Sequence, residues 1–232
     1  LDLAIAGGVE SMTRAPWVTA KPGTPWAKPG EVADTALGWR FTNPRFSAHD
    51  QAVERPEDPR TRKITLSMGE TAEEIAALDG LTREECDAFA VRSHERAVAA
   101  QDAGRFHREI VPVTVRGKKD TVEVTTDEGP RRTSTMETLG RLEPVFRAGG
   151  VVTAGNSSPL SDGASALVLA GGAAVERHGL TPRARIVVSA SAGVAPNVMG
   201  LGPVPATEKA LTKAGWTVDD LDAGELNEAV AA

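Results

Sequence analysis

A loop between positions 155 and 162 combines small residues with hydrogen-bonding side chains, a composition suited to holding a ligand. Because these side chains are small, a ligand could approach the backbone closely here. The apolar run 164–170 that follows is short enough to be a buried strand, so the loop would lie at a strand end. An ordinary surface turn is the alternative that composition alone favours. The polar residues are Asn156, Ser157, Ser158, Ser161 and Asp162.

Asn227 is a second candidate, because it stands where a strand-like segment, 222–226, meets a helix-like one, 227–232. In an α/β fold that junction falls at the carboxyl edge of the sheet, where ligands usually bind. An amide in this position can donate a preorganised hydrogen bond to a developing negative charge. Capping the helix is the alternative role, since Asn is a preferred N-cap residue.

The single cysteine, Cys86, is a poor candidate for a nucleophile. It lies on the apolar face of a capped helix, where a free cysteine behaves as a small hydrophobic residue. The neighbouring carboxylates of Glu84, Glu85 and Asp87 disfavour the thiolate. We therefore expect Cys86 to have a structural role.

The histidines do not suggest a catalytic or metal-binding site. None of them combines with other ligands at a zinc-binding spacing, so no metal site is predicted. Their polar or charged surroundings predict solvated surface side chains. They are His49, His94, His107 and His178.

Strands alternate with helices along the chain, which predicts an α/β layer fold. The clearest helix starts at a capping box of Thr82 and Glu85 and ends at Gly104. The strand 1–6 is expected to end at Gly7-Gly8, and residues 227–232 are expected to start a helix. The other predicted elements are helices at 69–78 and 205–214, a helical turn ending at Gly179, strands at 164–170 and 185–190, and a hairpin over 111–125.

Composition excludes several classes of protein. The 232 residues are 41% hydrophobic and 25% charged, within the range of soluble globular proteins. The net charge of −6 argues against a nucleic-acid partner and an anionic membrane surface. No apolar run approaches the roughly 18 residues of a membrane span. With one cysteine and no visible secretory signal, a cytoplasmic location is expected.

Both ends of the sequence fall inside predicted elements. The chain begins at Leu1, without Met, within a strand, and it ends at Ala232 within an uncapped helix. We therefore expect it to be an internal fragment of a longer protein.

Several motifs in one order resemble those of the thiolases, the acyl-CoA acyltransferases that make or cleave 3-ketoacyl-CoA. The loop is similar to the family's Thr-Ala-Gly-Asn-Ala-Ser motif with its later Asn-Asp-Gly-Ala-Ala, and the C-terminal residues are similar to Asn-Glu-Ala-Phe-Ala-Ala. The resemblance covers essentially the whole chain. Further matching segments are Ala6-Gly-Gly-Val-Glu-Ser-Met, Leu142-Glu-Pro-Val-Phe and Val198-Met-Gly-Leu-Gly-Pro-Val-Pro-Ala.

This resemblance implies an α/β fold with a thiolase-like five-layered core, held here in part, and an inserted α+β loop domain that covers coenzyme A. Residues 1–30 would end the N-terminal core half, and residues 31–160 would form the loop domain. Residues 161–232 would complete that half and start the C-terminal one. Thiolases are dimers or dimers of dimers, so the resemblance also implies a homodimer or homotetramer.

The resemblance also implies a coenzyme A site, with coenzyme A as a substrate and no metal or redox cofactor. Asn227 would hold the water that helps form an oxyanion hole for the thioester oxygen. A guanidinium suits the adenine and phosphate end of the ligand, and small residues leave room for the pantetheine arm. The matching positions are Arg131, Thr138, Phe146, Ala154 and Ser158, with Met68 beside the pantetheine.

Departures from the family pattern concern the substrate. Ser67 stands where many biosynthetic thiolases have a histidine, which favours the degradative or aromatic-catabolism branches. Residues 23–45 resemble the 3-oxoadipyl-CoA thiolase branch. Pro159 and Ser161 replace Gly and Asn in the loop, and Val230 replaces a Phe beside the acyl pocket. The acyl-chain specificity is therefore left open.

The catalytic groups of a thiolase are not found in this sequence. The family attacks acyl-CoA or 3-ketoacyl-CoA with a cysteine that a histidine activates, and a second cysteine moves the α-proton. The leading hypothesis is a thiolase-type acyltransferase whose catalytic residues lie outside this segment. The alternative is a non-catalytic thiolase-like acyl-CoA-binding or assembly subunit. A parent sequence with Cys-x-Ser-Gly upstream and Gly-His-Pro and Cys-x-Gly-Gly downstream favours the enzyme.

We expect the isolated 232 residues to be inactive in acyl transfer, because no acyl-enzyme can form without the nucleophile. The check is thiolysis of acetoacetyl-CoA by coenzyme A, followed by absorbance, with an authentic thiolase as positive control. Turnover above the protein-free rate would contradict the expectation.

Overall fold

The computed structural model describes residues 2–46 and 63–232. These form two compact units: a first unit of 1–74 with 160–226, and a second unit of 75–159 with 227–232. The expected division at residues 30 and 160 stays a prediction. Of the predicted surface histidines, His49 lies outside the described residues.

The described residues contain both strands and helices, a mixed content consistent with an α/β fold. The strands are β1 (Leu3–Ser11), β2 (Trp17–Thr19), β3 (Val32–Asp34), β4 (Val113–Arg116), β5 (Thr121–Val124) and β6 (Asp162–Ala170). The helices are α1 (Met68–Asp79), α2 (Arg83–Asp102), α3 (Met136–Gly140), α4 (Gly172–His178) and α5 (Pro203–Ala214). In the described ranges, none of the helices has the length and apolar character that a membrane crossing demands.

An antiparallel ribbon of β1 and β6 dominates the first unit, pairing Leu3 with Ala170 and Ser11 with Asp162. The predicted end of β1 at Gly7-Gly8 is wrong, because the strand continues through both glycines. A Cβ atom at Gly7 would lie 2.5 Å from the carbonyl oxygen of Ser165. Glycine therefore permits close approach of the two backbones here instead of making a turn.

Two expectations about buried strands in the first unit are wrong. The run 164–170 does form a strand, but all of β6 is exposed, so in the described part of the chain no packed layer buries it. The segment 185–190 is not a strand, since it has no backbone partner strand in the described part of the unit. The ammonium groups of Lys209 and Lys213 on α5 instead donate to the carbonyls of Ser191 and Ser189.

The remaining elements of the first unit follow local sequence signals. β2 and β3, for which the sequence predicted no strands, pair in a short antiparallel arrangement. α4 ends at Gly179 and α5 ends at Gly215, and both glycines have positive φ angles that suit a left-handed C-cap. α5 starts at Pro203, one half-turn before the expected Pro205, because proline is accommodated in the first helical turn.

The second unit is built on α2, whose predicted capping box is present. The Thr82 hydroxyl accepts the N–H of Glu85, and the Glu85 carboxylate accepts the N–H of Thr82. Cys86 and Ala90 on the predicted apolar face are buried, and Cys86 is 2% exposed, which confirms its structural role. The β4–β5 hairpin is also confirmed, with Val113 opposite Val124.

The predicted helix at 227–232 is wrong, and so is the strand at 222–226 before it. Val230 forms an antiparallel bridge with Ser157 of the loop. On either side of this bridge, Ser158 N–H donates to the Ala229 carbonyl and Ala231 N–H donates to the Asn156 carbonyl, both at 3.0 Å. Backbone groups used in this pairing are not available for helical hydrogen bonds, so residues 227–232 do not form a helix.

Gly7 and Gly8 offer a matched test of the ribbon. We expect Gly7→Ala to lower the free energy of unfolding by about 1–3 kcal/mol, since the added methyl group collides with backbone. Gly8→Ala is the control, because a Cβ atom there meets nothing within 4 Å. Urea denaturation followed by circular dichroism measures both, and equal midpoints for the two variants would contradict the proposed close approach.

Candidate functional site

The small-residue loop is anchored to α2 by a buried carboxylate, Asp87, which is 2% exposed. The side-chain amide of Asn156 donates to Asp87 Oδ1 and to the Val151 carbonyl, both at 2.9 Å. Its amide oxygen accepts the Thr153 N–H at 2.8 Å. Asn156 is itself buried, and both the nitrogen and the oxygen of its side-chain amide form hydrogen bonds. It therefore fixes the conformation of the loop.

The second oxygen of Asp87 extends this network to α3. It accepts a hydrogen bond from Arg83 Nε at 2.8 Å. A terminal nitrogen of the same guanidinium donates to the carbonyls of Leu139 at 2.7 Å and Leu142 at 2.9 Å. One ion pair therefore ties together α2, the end of α3 and the loop.

Close packing reinforces the anchor at Gly155. A Cβ atom at this position would lie 2.5 Å from Leu139 Cδ2 and 2.6 Å from Leu142 Cδ1. The loop backbone therefore lies directly against the end of α3, and a larger residue would push it away.

A groove of about 130 Å³ runs along the loop within the second unit. One wall is a face of α2, another is the loop, and the third is the C-terminal segment. Ser157 lines this groove, and its hydroxyl oxygen is buried with no hydrogen-bond partner among the described residues. The lining residues are Phe89, Ala90, Ser93, His94, Gly155, Asn156, Ser157, Ser158, Pro159, Glu228 and Ala231.

His94 corrects the expectation that the histidines are solvated surface residues. It is half-buried, and its Nδ1 accepts the backbone N–H of Arg131 at 3.1 Å. Burial, and then the Arg131 guanidinium, hold the pKa of His94 below its usual value. The neutral ring must therefore carry its proton on Nε2. The other two described histidines, His107 and His178, are exposed, as predicted.

The residues predicted by resemblance are only partly brought together. Ser158 lines the groove, and the backbone of Arg131 is bound to His94, which also lines it. The Thr138 hydroxyl accepts the Thr135 N–H and donates to the Thr133 carbonyl, so it caps α3. Its hydroxyl is thus committed to local structure.

The other predicted positions do not line this groove. Phe146 and Ala154 are exposed, at the two ends of the segment 146–154 that precedes the loop. Asn227 is exposed at the start of the C-terminal segment. Met68 belongs to the first unit, where it lines a cavity of about 330 Å³ with Trp39. Across the described ranges, no three His, Cys, Asp or Glu side chains gather as metal ligands would.

Sequence reasoning missed the anchor and half of the groove. Asp87 stands in an acidic run and has the character of a surface carboxylate, although it is buried. Ser93 lies within the predicted helix that starts at Thr82 and ends at Gly104, but nothing in the local sequence marked it as a groove residue. Glu228 directly follows Asn227, so the same motif contained a signal for it. His94 carried no signal, because its partner Arg131 is distant in sequence.

The anchor can be tested by removing the carboxylate. We expect Asp87→Ala to lower the free energy of unfolding by about 3–5 kcal/mol, because the partly buried guanidinium of Arg83 loses its counter-charge and the buried amide of Asn156 loses one acceptor. Asp102→Ala is the control: Asp102 pairs with Arg132, but both side chains are exposed, so we expect almost no change. Chemical denaturation measures both, and similar losses for the two variants would rule out a special role for Asp87.

Family models and relatives identify the class of protein. Residues 1–173 match the model of the thiolase N-terminal domain, and residues 180–232 match that of the thiolase C-terminal domain. The chain is 49% identical over 231 residues to the beta-ketoadipyl-CoA thiolase of Pseudomonas aeruginosa, covering 100% of this chain and 54% of that protein. It is 48% identical over 232 residues to the 3-oxoadipyl-CoA/3-oxo-5,6-dehydrosuberyl-CoA thiolase of Escherichia coli, with 100% and 55% covered. The chain thus spans about half the length of these relatives.

Solved structures agree with the sequence relatives. The acetyl-CoA acetyltransferase of Syntrophomonas wolfei superposes with a TM-score of 0.82 at 39% identity, over 99% of this chain and 53% of that chain. Human mitochondrial 3-ketoacyl-CoA thiolase in complex with CoA superposes with a TM-score of 0.78 at 38% identity, over 99% of this chain and 53% of that chain. The predicted α/β fold of thiolase type is thereby confirmed. With both thiolase domain models matched, the chain belongs to the thiolase family.

Proposed function

We propose that this chain is the coenzyme A-binding part of an acyl-CoA C-acyltransferase of the thiolase type. The parent protein would transfer an acyl group between a cysteine acyl-enzyme and coenzyme A, and so cleave or form 3-ketoacyl-CoA. The observation that carries the proposal is the small-residue loop, held rigidly by Asp87 beside a groove. A fixed, narrow wall of this kind suits the thin pantetheine arm of coenzyme A.

Binding of the nucleotide end is assigned to Arg131. Its side chain is exposed, and its backbone is fixed by the hydrogen bond to His94. A guanidinium held in this way can form charge-assisted hydrogen bonds to phosphate. The adjacent Arg132 differs, because it forms an ion pair with Asp102.

The pantetheine arm is assigned to Ala154 and Ser158, with Phe146 and Met68 as apolar contacts. Ala154 and Ser158 are exposed and small, so they leave room for the arm. Asn227 would hold the water that donates to the thioester oxygen as negative charge develops there. These residues bind and orient the substrate, and Thr138 supports them by capping α3.

The substrate proposed for the parent protein is 3-oxoadipyl-CoA, a 3-ketoacyl-CoA of aromatic catabolism. The support is the identity of 48–49% to thiolases named for this substrate, together with Ser67 in place of a histidine. We also propose a cytoplasmic homodimer or homotetramer, on the family resemblance alone.

The test uses the full-length parent protein with 3-oxoadipyl-CoA and coenzyme A. We expect thiolysis, and we expect Arg131→Ala to raise KM for coenzyme A about tenfold, the loss typical of one hydrogen bond to a charged group. Arg132→Ala is the matched control and should change KM less than about twofold, since its partner is exposed. Absence of thiolysis in the wild-type protein would refute the proposed function, and equal effects of the two variants would refute the assignment of Arg131.

A further inference from the structure

The C-terminal segment is docked onto the best-anchored part of the loop. Its backbone pairs with the loop through Ala229 and Ala231, with hydrogen bonds of 3.0 Å to Ser158 and Asn156. Asn156 is in turn held by the buried Asp87. The segment therefore takes its position from α2, by way of the loop.

A side-chain contact joins the same segment to α2 directly. The hydroxyl of Ser93 on α2 donates a hydrogen bond to the carboxylate of Glu228. Glu228 immediately follows Asn227, and the Ala229 N–H donates to the Asn227 carbonyl at 3.0 Å in a tight turn. The backbone of Asn227 is thus fixed from the C-terminal side while its side chain is exposed.

We propose that Ser93 and Glu228 are positioning residues for Asn227, an inference that rests on the proposed function. An amide that orients an oxyanion-hole water must be held within about 0.5 Å of its productive place. Backbone pairing with the loop fixes residues 229–231. Glu228, which comes directly before them, takes no part in that pairing. The charge-assisted bond from Ser93 supplies the restraint on Glu228.

Kinetics of the full-length protein test this role. Ser93→Ala and Glu228→Ala should each lower kcat for thiolysis about tenfold, the effect of losing one charge-assisted hydrogen bond. KM for coenzyme A should change less than about twofold, because Ser93 and Glu228 line the groove but are not among the residues assigned to coenzyme A. Glu228→Gln keeps an oxygen that accepts the Ser93 hydroxyl, so it should retain most of kcat. Glu95→Ala, an exposed carboxylate on the same helix, is the control and should retain wild-type kcat.

A double-mutant cycle separates positioning from an independent effect. If Ser93 acts through Asn227, Ser93→Ala should have no further effect on kcat in an Asn227→Ala background. If the loss of kcat in the double variant equals the product of the two single losses, the proposal is overturned. A raised KM with unchanged kcat in Ser93→Ala would also overturn it.

Amide hydrogen exchange gives a readout that does not depend on activity. In the 232-residue chain, Ser93→Ala should speed exchange at the Ser158 and Ala231 amides, while Glu95→Ala should not. If the wild-type parent shows no thiolysis, the proposed function fails, and exchange alone decides the positioning contact. Unchanged protection in Ser93→Ala would overturn that contact, and faster exchange would support it.

Discussion

The buried carboxylate of Asp87 is the interaction on which the second unit depends. One oxygen accepts from Arg83 and the other accepts from Asn156, so a single buried carboxylate joins a cation on α2 to an amide of the loop. Arg83 carries the network to α3, and Asn156 carries it to the loop. The loop's small residues can then serve as a ligand wall, because their backbone does not need to move when a ligand arrives.

The same anchor explains why the groove and the C-terminal segment form one arrangement. The segment adds an extended strand-like pairing to a loop that is already fixed, and the contact of Ser93 with Glu228 returns it to α2. This links Ser158, which we propose as a coenzyme A contact, and Asn227, which we propose as the holder of the oxyanion water, through one set of hydrogen bonds. Binding and chemistry would therefore respond together to a change in the loop.

Local signals in the sequence predicted most helices and the hairpin. The capping box at Thr82, the positive-φ glycines after the helices and the alternation around β4 and β5 depend on neighbouring residues, so they can be identified from sequence. The failures involve distant partners. Gly7 is needed because of Ser165, residues 227–232 are not helical because of residues 156–158, and Asp87 is buried because Asn156 arrives 69 residues later in the chain. No local pattern contains these partners. Composition and position made the loop and Asn227 candidates, and the family resemblance favoured a ligand site over a surface turn and a helix cap.

The β1–β6 ribbon has a consequence for the behaviour of the chain in solution. Apolar side chains on both strands face solvent, with Ile5 81%, Val9 79%, Leu167 63% and Val168 66% exposed. Among the described residues no strand covers either edge of this ribbon, and an uncovered apolar edge is a template for pairing with another chain. The net charge of −6 opposes such pairing through repulsion, which salt weakens. The colloidal stability of the isolated chain is thus a balance between edge pairing and charge, and low ionic strength is the condition that favours dispersed molecules.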